Sequence, residues 1–298
     1  MITIIGSSCV DIICQNVSKD IFETGHEFAD SMKLNCGGDA FNEAILLAKM
    51  GIDVELITVI GDDELGKSTY RYCKENGVNI IPSVKGNTYM STILVDSNGN
   101  RNLIGTRSGS LRDLSLSDIG EIHGDIVSFA SMFVSFKMSK DDMLSLFTRI
   151  KNDNKILCAD TTTIKNNETV EEYKEVLSKL DYFFPNDHEA KLFTRKQTVE
   201  QAAEVLYEAG IKNVIIKCGD KGAYLKNDKY SLYIETEKVK AIDTTGCGDS
   251  FVSGFIYELA NGKDIIDCIK YGNICGGKCA LSVGTTTWLT KLTWKSVI

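Results

Sequence analysis

The sequence predicts an α/β fold: a mainly parallel central sheet with helices on both faces. Three observations predict it. Apolar β-rich runs at 2–5, 54–60, 126–129, 156–158, 182–184 and 214–216 each lie beside a segment of 3.6-residue apolar period, the alternation of a parallel sheet covered by helices. The 298 residues are 43% hydrophobic and 25% charged, which suffices for a sizeable core. Only Pro82 and Pro185 occur, and neither an internal repeat nor a low-complexity linker divides the chain, so one domain over 1–298 is expected.

The elements follow in order. The run at 2–5 opens the sheet, and the stretch from Val10 to Leu34 then breaks the α/β rhythm. A helix over 39–50 places Phe41, Ile45 and Ala48 on one face with Ala44, turns Glu43 and Lys49 outward, and stops at Gly51. A second irregular stretch reads as a hairpin, 88–95 and 101–106, with Asp96-Ser-Asn-Gly99 as its turn. Such strands are too few to fold alone. Segments of about 10–34 and 84–108 are therefore expected to form a discontinuous β-lid attached to the main sheet. Near the end, Phe251, Phe255 and Leu259 repeat at i, i+4 and i+8 in a helix over 249–260, with Gly262 just beyond.

Charge and cysteine content exclude several function classes. Lys and Arg total 33 against 41 Asp and Glu, for a net charge of -8 without a basic block, which argues against nucleic acid as a partner. No apolar run approaches the ~20 residues that cross a bilayer, and the start lacks the basic region and cleavage site of a signal peptide. The ten cysteines are scattered, mostly in apolar runs, and read as small buried hydrophobes in a reducing cytoplasm. Cys275 and Cys279 would share a helical face, but no second pair or nearby His completes a zinc site.

Two glycine-rich segments carry chemistry. In Ala241-Ile-Asp-Thr-Thr-Gly-Cys-Gly-Asp-Ser250, Gly246 and Gly248 let amides crowd at a helix N-terminus, where an anion such as phosphate is favoured. Asp249, in the first turn, can accept a proton from an alcohol attacking phosphorus. The same residues read equally as a glycine turn capped by Asp249. In Asn35-Cys-Gly-Gly-Asp-Ala-Phe-Asn-Glu-Ala44, a Gly pair precedes a helix carrying Asn42, which suits a polyhydroxylated ligand or, more simply, helix entry.

A third match is a decoy. Gly61-Asp-Asp-Glu-Leu-Gly-Lys-Ser68 fits the phosphate-loop pattern letter for letter. Yet Asp62, Asp63 and Glu64 would repel a triphosphate and suit a helix start instead. His26, His123 and His188 are dispersed, and Asp160, after the strand at 156–159, reads as a ligand contact at a strand C-terminus or, more simply, as the start of a loop.

Four motifs taken together resemble the ribokinase-like (PfkB) carbohydrate kinases over nearly the whole chain. They are Gly37-Gly38-x-x-x-Asn42, Pro185-Asn-Asp-His-Glu189, Lys217-Cys-Gly-Asp-Lys-Gly222 and Asp243-Thr-Thr-Gly-Cys-Gly-Asp249, in that order. The segment around Asp39 is nearer to little-characterised sugar kinases than to ribokinase itself, which usually has Lys there.

The resemblance implies an ATP-dependent sugar kinase with Asp249 as general base and Gly246, Cys247 and Gly248 as an anion hole. Cys247 stands where Ala is usual, a change that an amide role tolerates. Asn186 and Glu189 would organise magnesium and phosphate through water. Lys217, Gly219, Gly222, Thr245 and Asn273 would border the nucleotide. Asp11, Gly37, Gly38, Asp39 and Asn42 would hold the sugar, with Arg107 reaching in from the lid. Asp243 and the Thr245 carbonyl match part of a potassium site. A homodimer through the lid is a further expectation from the family. A nucleoside kinase of the same fold and a catalytically silent sugar-binding protein are the other readings.

Overall fold

The computed structural model describes residues 1–18, 20–97, 101–162, 164 and 167–290. Its elements run β1 (Ile2–Ile5), β2 (Cys9–Gln15), α1 (Ile21–Thr24), β3 (Ser31–Gly37), α2 (Asp39–Lys49), β4 (Val54–Ile60), α3 (Glu64–Glu75) and β5 (Asn79–Val84). They continue with β6 (Met90–Val95), β7 (Arg101–Gly105), β8 (Ile126–Met132), α4 (Lys140–Asn152), β9 (Ile156–Thr161), α5 (Val170–Leu177), β10 (Tyr182–Phe183) and α6 (Asp187–Thr194). The last are α7 (Val199–Glu208), β11 (Asn213–Lys217), β12 (Ala223–Lys226), β13 (Ser231–Ile234), α8 (Cys247–Ala260) and α9 (Ile265–Cys279).

The large sheet has the order β13-β12-β11-β10-β9-β8-β1-β4-β5. Its strands are parallel from β5 to β11, and the two antiparallel pairings are β11 with β12 and β12 with β13. Side chains alternate across it: Ile2 and Ile4 enter one apolar cluster with α2, α8 and α9, while Ile5 enters the other with α4 to α7. That period of two, with apolar residues on both sides, is why the β1 and β4 runs read as mostly apolar text, broken by Thr3, Glu55 and Thr58, which are buried as well. The antiparallel edge lies beyond what the pattern predicts, since each of its strands is four residues long and β13 exposes most of its side chains.

A second sheet, β3-β2-β6-β7, gathers the two irregular stretches as expected. β6 pairs antiparallel with β7 from Val95 opposite Arg101 to Ser91 opposite Gly105. The expected turn at 96–99 falls partly outside the described residues.

The outward placement of Glu43 and Lys49 does not hold. Glu43 is 0% exposed, and Lys49 donates to the Thr286 carbonyl at 2.7 Å. α2 lies against β1, β4 and β8 on one side and α8 on another, so a polar residue on it need not face water.

Candidate active site

The C-terminal ends of β9, β10 and β11 and the start of α8 enclose a cleft of about 780 Å³, lined by Asp39, Asp160, Asn186, Glu189, Lys217 and Asp249 among others. In an open α/β sheet this is where ligands bind. The phosphate-loop lookalike is elsewhere and spent: Asp63 caps α3 by accepting from the Gly66 amide at 2.8 Å, and Lys67 pairs with Glu64 in solvent.

Gly246 caps α8 with φ 77°, and a Cβ there would lie 2.7 Å from the Thr285 Cβ. Both the left-handed backbone and the close approach require glycine. The first turn presents amides at the positive end of the helix dipole. The Cys247 N–H turns back onto the Thr244 carbonyl at 3.3 Å, whereas those of Gly248 and Asp249 meet no carbonyl among the described residues. Of the three amides expected, that of Cys247 is thus partly engaged, and the amide of Asp249 is an additional open one.

The Asp249 carboxyl is buried and accepts from Asn42 Nδ2 at 2.7 Å. Thr285 Oγ1 donates to Asn42 Oδ1 at 2.8 Å, which fixes the amide so that its NH₂ faces Asp249. Burial pushes the Asp249 carboxyl up to about 7; the Asn42 bond pulls it down and Asp160 pushes it up. Thr285 is not legible in the sequence, where a Thr after Gly carries no signal.

Carboxylates crowd the side of α2. A Cβ on Gly37 would lie 2.7 Å from Asp11 Oδ2, and one on Gly38, whose φ is +99°, 2.7 Å from the Ser7 carbonyl. Asp11, on β2, accepts from Ser91 Oγ at 2.5 Å and is raised by burial. Asp39 accepts from Ser131 Oγ; burial, then Asp249 and Asp160, hold its carboxyl well above the ordinary range. Arg107 follows β7, is exposed and does not line the cleft, so the structure does not bring it to these groups.

Across the cleft, Asn186 caps α6 by accepting from the Glu189 amide, and Glu189 accepts from the Asn186 amide, both at 2.9 Å. This reciprocal box fixes a carboxyl that burial and Asp160 push up to about 7. Lys217, at the end of β11, places its ammonium 2.5 Å from Asp160. Asp160 therefore lies within β9, buried, rather than starting a loop. Asn273 donates to the Ile234 and Glu235 carbonyls at 3.1 and 3.3 Å, tying α9 to the end of β13. Gly222, at φ 84°, packs where a Cβ would lie 2.1 Å from the Ile234 carbonyl, and Gly219 lines the same wall. Behind α8, Asp243 accepts from the amide and hydroxyl of Thr245 at 2.8 and 2.7 Å and from the Gly284 amide at 3.2 Å.

Strand order and the position of the cleft define a ribokinase-like α/β fold. Residues 1–292 match the pfkB family carbohydrate kinase profile, and the chain belongs to that family. Staphylococcus aureus ribokinase is 28% identical over 254 residues, covering 82% of this chain and 81% of its own. An uncharacterized sugar kinase of Archaeoglobus fulgidus is 26% identical over 251 residues, covering 82% and 98%. The crystal structure of Thermotoga maritima ribokinase superposes with a TM-score of 0.79 at 27% identity, covering 100% of this chain and 98% of that one.

Proposed function

We propose that this family member transfers the γ-phosphoryl group of MgATP to a hydroxyl of a monosaccharide or sugar derivative, with Asp249 as general base. The observation that carries the reading is the bond from Asn42 to Asp249. It joins the carboxylate-lined side of α2, suited to hydroxyls, to the amide-bearing N-terminus of α8, suited to phosphate. Asp249, raised to about 7, takes the hydroxyl proton as the oxygen attacks phosphorus. The amides of Gly248 and Asp249 hold the charge on the phosphoryl oxygens. Asp11, Asp39, Asn42 and the Gly37–Gly38 backbone orient the sugar, and Arg107 reaches it only if the small sheet closes as a lid, excluding water. Asn186, Gly219, Gly222 and Asn273 border the nucleotide.

Magnesium, when bound, neutralises phosphate charge. The described residues hold no cluster of three or more His, Cys, Asp or Glu able to bind a metal, so phosphate oxygens and water would be its main ligands. Glu189, held near 7 by burial and like charge, fits that arrangement through water, beside Asn186. Asp243 and the Thr245 carbonyl are the groups we assign to potassium. Exposed Met32, Leu34 and Leu103 on the small sheet support a homodimer through that sheet. Ten free cysteines support a reducing cytoplasm as the compartment.

The test is ADP release from MgATP, with potassium or sodium, across hexoses, pentoses, ketoses, sugar acids, sugar phosphates and nucleosides. Acceptor-dependent release with one sugar is expected. Release with nucleosides alone would replace the reading, and silence across the panel would leave a sugar-binding protein.

A further inference from the structure

We propose that Lys217 is a further catalytic residue, whose ammonium, positioned by Asp160, bonds the phosphoryl group while it is transferred. This rests on the kinase reading above. Among the described residues lining the cleft are seven Asp or Glu (39, 160, 187, 189, 220, 237 and 249), and Lys217 is the single Lys or Arg. A triphosphate entering that lining meets one fixed side-chain cation.

The place of that cation is specific. The Lys217 backbone is anchored by its N–H to the Pro185 carbonyl at 2.9 Å and by a bridge to Asn186. Its side chain is 13% exposed and that of Asp160 6%. A Cβ on Gly248 would lie 3.4 Å from Lys217 Nζ, so the ammonium stands over the glycine whose amide opens the anion hole. Asp160, Glu189 and Asp249 all act to keep it charged against burial. An ammonium has three donors and no acceptor. One can stay on Asp160 while another reaches a phosphoryl oxygen.

In the step proposed, the acceptor oxygen forms its bond to the γ-phosphorus as the bond to the ADP oxygen breaks. The hydroxyl proton passes to Asp249, and Lys217 keeps its own protons throughout. It stabilises charge on the equatorial oxygens, which is worth most in a site that excludes water. Asp160 touches no reacting atom and is a positioning residue.

The test compares wild type, Lys217→Met, Lys217→Arg and Asp160→Asn in two assays, after thermal melting and MgADP calorimetry establish that each variant is folded. The first is kcat with the acceptor found by the panel. Lys217→Met should lose roughly 10²-fold to 10³-fold in kcat with MgADP affinity within a few-fold of wild type. Lys217→Arg should recover part of the loss, and Asp160→Asn should lower kcat without weakening MgADP. The second assay is the tightening of MgADP by aluminium fluoride, a mimic of the phosphoryl group in flight; Lys217→Met should abolish it. Wild-type kcat in Lys217→Met, tightening that survives in it, or a kcat loss matched by equal loss of MgADP affinity overturns the proposal and leaves the kinase reading standing. A wild type that neither phosphorylates an acceptor nor tightens on aluminium fluoride overturns both.

Discussion

Asn42 donates its side-chain amide to the Asp249 carboxylate at 2.7 Å across 207 residues of sequence. The pair couples an orienting amide to a carboxyl whose titration lies near neutrality. Burial raises that carboxyl to about 7, and the Asn42 bond is the first influence opposing the rise. A base must be ionised to work, so kcat/KM should fall about tenfold per pH unit below about 7. Asn42→Ala removes the opposing bond and should move that limb to higher pH, making the variant's deficit larger at pH 6 than at pH 8.5. An unmoved limb would show that another group governs the profile.

Gly246→Ala should cripple the enzyme and weaken the fold together. The left-handed backbone costs about 1–2 kcal/mol for a residue with a Cβ, and the new methyl would meet Thr285, which holds Asn42. Thermal denaturation and kcat measured on the same preparation check this; a variant normal in both would mean that the α8 N-terminus tolerates rearrangement.

Glu43 offers a stability test separate from catalysis. It is fully buried, accepts from Ser128 Oγ at 2.7 Å, and leaves Oε1 without a partner among the described residues. Burial raises its carboxyl well above the ordinary 4.5. The folded protein therefore keeps a proton that the unfolded chain loses above about pH 4.5. Stability from this group is full below that value and lost as pH rises toward the folded pKa, at about 1.4 kcal/mol per pH unit. Glu43→Gln should thus gain stability relative to wild type between pH 5 and pH 8, as read by urea denaturation.

Lys67→Ala discriminates the phosphate-loop lookalike at 61–68 from the glycine turn that opens α8. Lys67 and Glu64 form an exposed pair, which contributes little. The variant should keep kcat/KM for ATP within about twofold of wild type, as expected for a surface pair. A large loss would restore the phosphate-loop reading of 61–68.

Much of this architecture is legible in the amino-acid sequence. Parallel strands buried on both faces leave mostly apolar runs, which mark β1 and β4 to the residue. Gly246 is legible because a turn that enters a helix in the left-handed region, close against another segment, needs a residue without a side chain. The pairing of Asp160 is not: its position at a strand end is readable, but its partner Lys217 lies 57 residues on, and one Asp has no periodicity. Glu43 misleads for a related reason. Helical period sorts residues by polarity, but α2 is wedged between the sheet and α8, so a carboxyl is buried with a serine from β8. Thr285 and Ser131 act through bonds to Asn42 and Asp39 that only the folded chain creates.

In the mechanism proposed here, Asp249 accepts the proton of the attacking hydroxyl. The measurement that tests it most directly is kcat for Asp249→Asn beside wild type with the acceptor identified by the panel, together with MgATP affinity by calorimetry. Asn keeps the shape and cannot take the proton. In Asp249→Asn, kcat should be lower by roughly 10²-fold to 10⁴-fold, the contribution of general base catalysis, with MgATP affinity nearly unchanged. Turnover equal to wild type would contradict it.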